Sequence, residues 1–119
     1  MRVLHVMPNV SRAFGGPTES LIGYAQAAQT QGGQVHVAAP SVALKDRQWL
    51  NEQLPDVVFH FFPSVGRHAW VIAPGLWHWL WSEGTSYDAI HTHGLFNPVS
   101  SLSARIAISR RNPVVMRPF

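Results

Sequence analysis

The stretch VLHVMPNVSRAFGGPTESLIGYAQAAQTQGGQVHVAAP, residues 3–40, decides how the chain folds. It opens on a short apolar run with β-branched residues, Val3 to Met7, closed by Pro8, and reads as a buried strand. A polar loop from Asn9 to Phe14 leads into Gly15-Gly16-Pro17. Pro17 suits the first position of a helix, because the N–H it lacks has no intrahelical partner there. From Thr18 the apolar period becomes helical, with Leu21, Ala25 and Ala28 spaced four and three apart and Ile22 beside them. Gly32-Gly33 ends the helix where a left-handed cap is expected, and Val35 to Ala39 is a second strand stopped by Pro40.

The alternation continues outward from this unit. Ala43 to Leu54 is mixed and polar and reads as a short helix, and Val57 to Phe62 reads as a third strand closed by Pro63. Ser64 to Ile72 shows no period. Pro74 opens a Trp-rich helix through Leu76, Trp77, Leu80 and Trp81 that ends near Gly84, and Asp88 to His93 is a fourth strand. Asn97-Pro98 has the form of an N-cap followed by a first-turn proline. Val99, Leu102 and Ile106 carry that helix, Arg110-Arg111 are expected in its last turn, where cations favour the dipole, and Pro113 to Met116 is a fifth strand. Strand alternating with helix is the pattern of right-handed βαβ units, so the fold expected is α/β, a Rossmann-like doubly wound parallel sheet forming one domain over 1–119.

Composition narrows the function classes. The chain is 46% apolar and only 13% charged, which excludes a disordered tail. Its nine basic residues are scattered, only Arg110 and Arg111 are adjacent, and no aromatic residues interleave with a basic run, so no nucleic-acid partner is expected. Weak attraction to an anionic membrane surface is compatible with the formal net charge of +3. The absence of Cys excludes disulfides and thiolate metal sites and fits a cytoplasmic protein, at or away from the inner membrane face. The N-terminal apolar run is too short for a signal peptide, and no stretch is long enough to span a bilayer.

In an open parallel sheet, ligands sit outside the carboxyl ends of the strands where the strand order reverses. With order 3-2-1-4-5 the reversal falls between the first and fourth strands. The loops bearing Gly15-Gly16-Pro17 and His93-Gly94 then meet, next to Arg117 at the end of the fifth strand. Two glycines before a helix let backbone pass close to a ligand and aim first-turn N–H groups at a phosphate or sugar hydroxyl, although such a pair is more often only a tight turn. The dinucleotide fingerprint and the Walker lysine are both absent. His91 and His93 share a strand face but lack a visible third ligand, so no metal is expected. His91 reads as a core residue bonded to backbone, His93 as the better binding candidate, His5 as structural, and His78 as lying on a wetter helix face. Trp77 and Trp81, four apart, read as core, while Trp79 is left to stack on a sugar or meet a membrane. Glu19 and Asp88 are the acids nearest the expected crevice in sequence; no two carboxylates are placed as an acid/base pair.

The segments PNVSRAFGGPTES, AQAAQTQGGQVHVAAP and YDAIHTHGLFNPVSSLSARIA followed by PVVMRPF resemble the N-terminal domain of family 4 glycosyltransferases. The resemblance runs over nearly the whole chain and is least specific from Ser41 to Gly84. It implies the acceptor-side half of a GT-B enzyme, which transfers a sugar from a nucleotide-sugar to a glycan or lipid-linked acceptor with retention. No cofactor and no metal are expected. Gly15, Gly16 and Pro17 would approach the donor phosphate and transferred sugar, and His93 and Gly94 would line the acceptor side, with Arg117 beside them. The family's fifth strand runs into Arg-Pro-His-Gly, whereas Arg117-Pro118 is followed here by Phe119, which cannot hydrogen-bond through its side chain. The donor domain is not encoded in this chain, so it is expected to be an incomplete N-terminal domain, inactive alone, and poorly soluble for want of cover over Val114 and Val115. The competing readings are a free-standing binding module that partners a separately encoded donor domain, and a small nucleotide-binding or phosphoacceptor domain.

Overall fold

A computed structural model describes residues 1–66, 71–94 and 97–117, with Phe14 and Arg117 described in their backbone only. Five strands, β1 (Arg2–Val6), β2 (Gln34–Pro40), β3 (Val58–Phe62), β4 (Ala89–His93) and β5 (Val114–Arg117), form one sheet in the order β3-β2-β1-β4-β5. Every pairing is parallel. Between them run α1 (Gly16–Thr30), α2 (Leu44–Gln53), α3 (Pro74–Glu83) and α4 (Pro98–Ser109). The expected α/β class and strand order hold, with element ends displaced by a residue or two. Short 3-10 turns over Arg12–Phe14 and Gly84–Ser86 were not signalled by any apolar period.

Winding reverses at β1, so the helices divide between the two faces of the sheet. On one face α1 and α2 bury Leu21, Ala25, Leu50 and Leu54 against Met7, Val35, Val37 and Ala39. On the other, α3 and α4 bury Leu76, Leu80, Val99 and Ala107 against Leu4, Val6, Ala38 and Ile90. Each fully buried Leu stabilises by about 1.5–3 kcal/mol through removal of its side chain from water. Beyond β4, edge strand β5 leaves Val115 54% and Met116 51% exposed, so half of its pairing edge and much of its apolar surface face outward.

The Trp-rich helix corrects one expectation. Leu76 and Leu80 line the inner face of α3, Trp77 is half-buried, and Trp81 is exposed with the Arg110 guanidinium 4.9 Å from its ring centre. A spacing of four serves either pair equally. Leu80 packs closely on Gly84 and Ile90: a Cβ at Gly84 would sit 3.0 Å from Leu80 Cδ1 and 3.5 Å from Ile90 Cδ1. Trp79 packs on the protein's own rings, 4.6 Å from His60, 5.5 Å from Phe62 and 6.1 Å from Tyr87, centre to centre.

The end of α4 corrects another. Arg110 is the C-cap and Arg111, at φ 59°, lies beyond the helix in the left-handed region. Arg111 N–H donates to Ile108 O at 3.0 Å and Asn112 N–H to Ala107 O at 2.9 Å, the bonding of a Schellman cap. Helix α1 ends the same way with Gly32 at φ 83°, where no Cβ opposes the conformation. The arginine therefore occupies a glycine's place.

Candidate functional site at the switch point

Strands β1 and β4 are parallel neighbours, with Val3 opposite Ala89 and His5 opposite His91. The chain therefore leaves both strands at the same end of the sheet, β1 through Met7-Pro8 and β4 through His93-Gly94. This is the point of reversal at which a crevice is expected.

The loop after β1 is tied down from within. Ser11 N–H donates to Asn9 Oδ1 at 2.8 Å, and Thr18 Oγ1 donates to Ser11 O at 3.0 Å. Gly15 has φ 79° and ψ −127°, a conformation that side chains rarely allow. Its N–H donates to Arg12 O at 3.2 Å, and its carbonyl accepts from Glu19 N–H at 3.1 Å, so it is the N-cap from which α1 starts. A Cβ at Gly15 or Gly16 would meet nothing within 4 Å. Open space thus lies over the loop beside the first turn of α1, with Pro17 next in the chain.

The loop after β4 is equally constrained. Asn97 Oδ1 accepts from Ser100 N–H at 2.8 Å and caps α4, as its sequence signature predicts. Ser100 Oγ donates to the carbonyl oxygen of His93. Gly94 takes φ 85°. His93 is 1% exposed and Gly94 is buried as well, so they underlie the switch point rather than project from it. Arg117 stands opposite His93 in the register of β4 and β5.

Three imidazoles meet beneath this end of the sheet. His5 Nδ1 lies 2.9 Å from His93 Nε2, and the His91 ring stacks on that of His93 at 4.4 Å with 12° between planes. Burial, and secondarily the neighbouring His91, lower the pKa of His5 to about 4, so His5 is neutral at pH 7. His91, expected in the core, is half-buried and stacked on His93. A second cluster sits nearer the other end of the sheet and on its other face. Tyr87 Oη and His60 Nε2 both lie within hydrogen-bonding distance of His36 Nδ1, at 2.8 and 2.9 Å. Burial lowers both of these histidines, with His60 and then Arg2 adding to the effect on His36.

The β1–α1 loop meets the first turns of α2. A groove of about 440 Å3 is lined by Arg12, Ala13, Lys45, Asp46 and Trp49. The Arg12 guanidinium lies 5.2 Å from the Trp49 ring centre, and its backbone N–H donates to Asp46 Oδ1 at 3.2 Å. Because α2 begins after the carboxyl end of β2, this groove opens at the same end of the sheet as Gly15. Nothing in the sequence marks it, since Arg12 and Lys45 are distant in the chain and α2 has no decisive period.

Asp88 does not belong to this region. It precedes β4 rather than following it, and at the far end of the sheet its Oδ2 accepts from Arg2 N–H at 2.6 Å. Glu19 is exposed in the first turn of α1, where the helix dipole alone accounts for an acid. Trp70, Pro118 and Phe119 lie outside the described residues. No described helix is long and apolar enough to cross a membrane. Compared with protein-family models, with curated proteins and with solved structures, the chain finds no match in any of the three.

Proposed function

We propose that the chain is the acceptor-side domain of a retaining glycosyltransferase of the GT-B type, cytoplasmic in location. In this reading it works with a donor-holding domain to pass a sugar from a nucleotide-sugar to a glycan or lipid-linked acceptor. The observation that carries the reading is Gly15: a glycine held in a conformation other residues avoid, starting a helix at the switch point, with open space above it. Such a loop lets backbone N–H groups come within hydrogen-bonding distance of a phosphate or sugar oxygen. Arg12 and Lys45 add positive charge on the α2 side, which suits the diphosphate of a nucleotide-sugar. In this scheme Gly16 and Pro17 face the transferred sugar, and Gly94 and Arg117 border the acceptor. In this reading the half supplies binding and orientation.

The test is binding, because turnover requires the other half of the cleft. Nucleoside diphosphate sugars and short glycans are titrated against the chain by saturation-transfer NMR. Weak binding of one or both is expected, abolished by Gly16→Ala, which places a methyl group in the open space. Binding that survives Gly16→Ala and Arg12→Ala together contradicts this assignment of the site.

A further inference from the structure

The histidine cluster is unused by the reading above, and its geometry points elsewhere. His5, His91 and His93 come from two adjacent central strands and share one face of the sheet. Residues two apart on a strand share a face, and His5 stands opposite His91 in register. One ring nitrogen from each lies within 4.8 Å of the other two. Among the described residues this is the one group of three metal-ligating side chains so assembled.

We propose that His5, His91 and His93 form a three-histidine site for a borderline divalent cation of the zinc class. The ligand set fits that class, because neutral imidazole nitrogens with no carboxylate favour zinc over magnesium or calcium. Tetrahedral coordination with Zn–N of about 2.0–2.1 Å places ligand nitrogens roughly 3.3 Å apart. His5 Nδ1 and His93 Nε2 stand at 2.9 Å, so the ion displaces the hydrogen-bonded proton between them and the pair opens by about 0.4 Å. That proton moves to the other nitrogen of the imidazole that carries it, and no net proton is released. His91, half-buried where the other two are almost wholly covered, completes the set by turning its ring off His93. Beside it stands Tyr24 of α1, 45% exposed, with ring centres 6.1 Å apart. Three protein ligands leave a fourth position, taken there by water or an anionic oxygen.

The experiment loads the chelator-treated chain with zinc chloride, removes excess by dialysis, and measures bound metal by elemental analysis and the histidine nitrogens by NMR. One zinc per chain is expected, with shifts at the ring nitrogens of His5, His91 and His93, and a tetrahedral visible spectrum when cobalt(II) replaces zinc. His91→Ala removes a ligand at the least buried position and is expected to weaken binding beyond the roughly 10–100-fold that losing an outer partner costs. His60→Ala disrupts the other histidine cluster and is expected to leave stoichiometry and affinity unchanged. If His91→Ala fails to fold, the nitrogen shifts of the unmutated chain decide by themselves. Absence of stoichiometric zinc, shifts confined to His36 and His60, or undiminished binding by folded His91→Ala each overturn the proposal.

Discussion

Adjacent glycines in the β1–α1 loop are predicted to respond to the same substitution with opposite signs. Gly15→Ala puts a side chain at φ 79°, ψ −127°, and because nothing lies within 4 Å of the new Cβ, the whole cost is backbone strain. Residues forced into such regions cost about 1–3 kcal/mol each. The loop cannot relax freely, since Gly15 is held by bonds to Arg12 O and from Glu19 N–H at 3.2 and 3.1 Å. Gly16 is the first residue of α1, its Cβ position is equally open, and its φ is not positive. Alanine there loses less chain entropy on folding and should stabilise by about 0.4–1 kcal/mol. The two variants should therefore differ by roughly 2–3 kcal/mol. Urea unfolding followed by circular dichroism reads this directly. With a slope of about 1–3 kcal/mol per molar urea, the midpoints should separate by about 0.7–3 M. Equal midpoints, or Gly15→Ala as stable as the parent, would refute the account of this loop. The pair also separates folding from binding, because Gly16→Ala keeps the fold while filling the space assigned to ligand.

Four further outcomes follow. Arg111→Gly relieves a left-handed arginine and should raise stability by up to about 1 kcal/mol in the same urea assay, since that conformation costs other residues roughly 1–2 kcal/mol. Asn97→Ala removes the cap bond to Ser100 N–H and should cost about 1 kcal/mol, with the loss in amide protection concentrated at the start of α4. The folded-state pKa values of His36 and His60 lie below that of the unfolded chain, near 6.5, so the unfolded state binds more protons as pH falls through that value. Stability present at pH 7 and above should then be lost on acidification. His5 acts with the same sign, so the pair's share is read as the flattening of the slope in His60→Phe, and an unchanged slope would count against it. Finally, Val115→Lys should raise the concentration at which the chain self-associates in light scattering, because it places a charge on a half-exposed apolar edge strand.

Much of the fold is legible because its signals are local. Prolines and glycines close the elements, strand and helix periods alternate, and the reversal at β1 follows from these with the handedness of βαβ units. The Asn97 cap and the Leu21–Ala25 face of α1 were readable on the same grounds. What escaped depends on relations between elements. His5 became the third imidazole only once β1 and β4 were set in register, although the parity of His91 and His93 already put two on one face. Asp88 is near His93 in sequence yet at the opposite end of the strand, because a strand separates the two. Trp81 and Leu80 carry equal claims to the core by period, and only the packing of α3 on β4 shows that Leu80 is the buried one. Arg111 in a glycine's position has no sequence signal, since the bonds closing the cap are backbone bonds from Arg111 and Asn112 N–H to the carbonyls of Ile108 and Ala107.

The central claim, that ligand binds where β1 and β4 end, is tested most directly by amide chemical-shift mapping of the chain titrated with a nucleoside diphosphate sugar and then with a glycan acceptor. The account predicts that the largest shifts fall on Gly15, Gly16, Thr18 and Gly94, with Arg12 and Lys45 responding to the diphosphate. Shifts centred instead on the far end of the sheet, around Asp88, Gly33 and His36, or no shift at all at millimolar ligand, would contradict it.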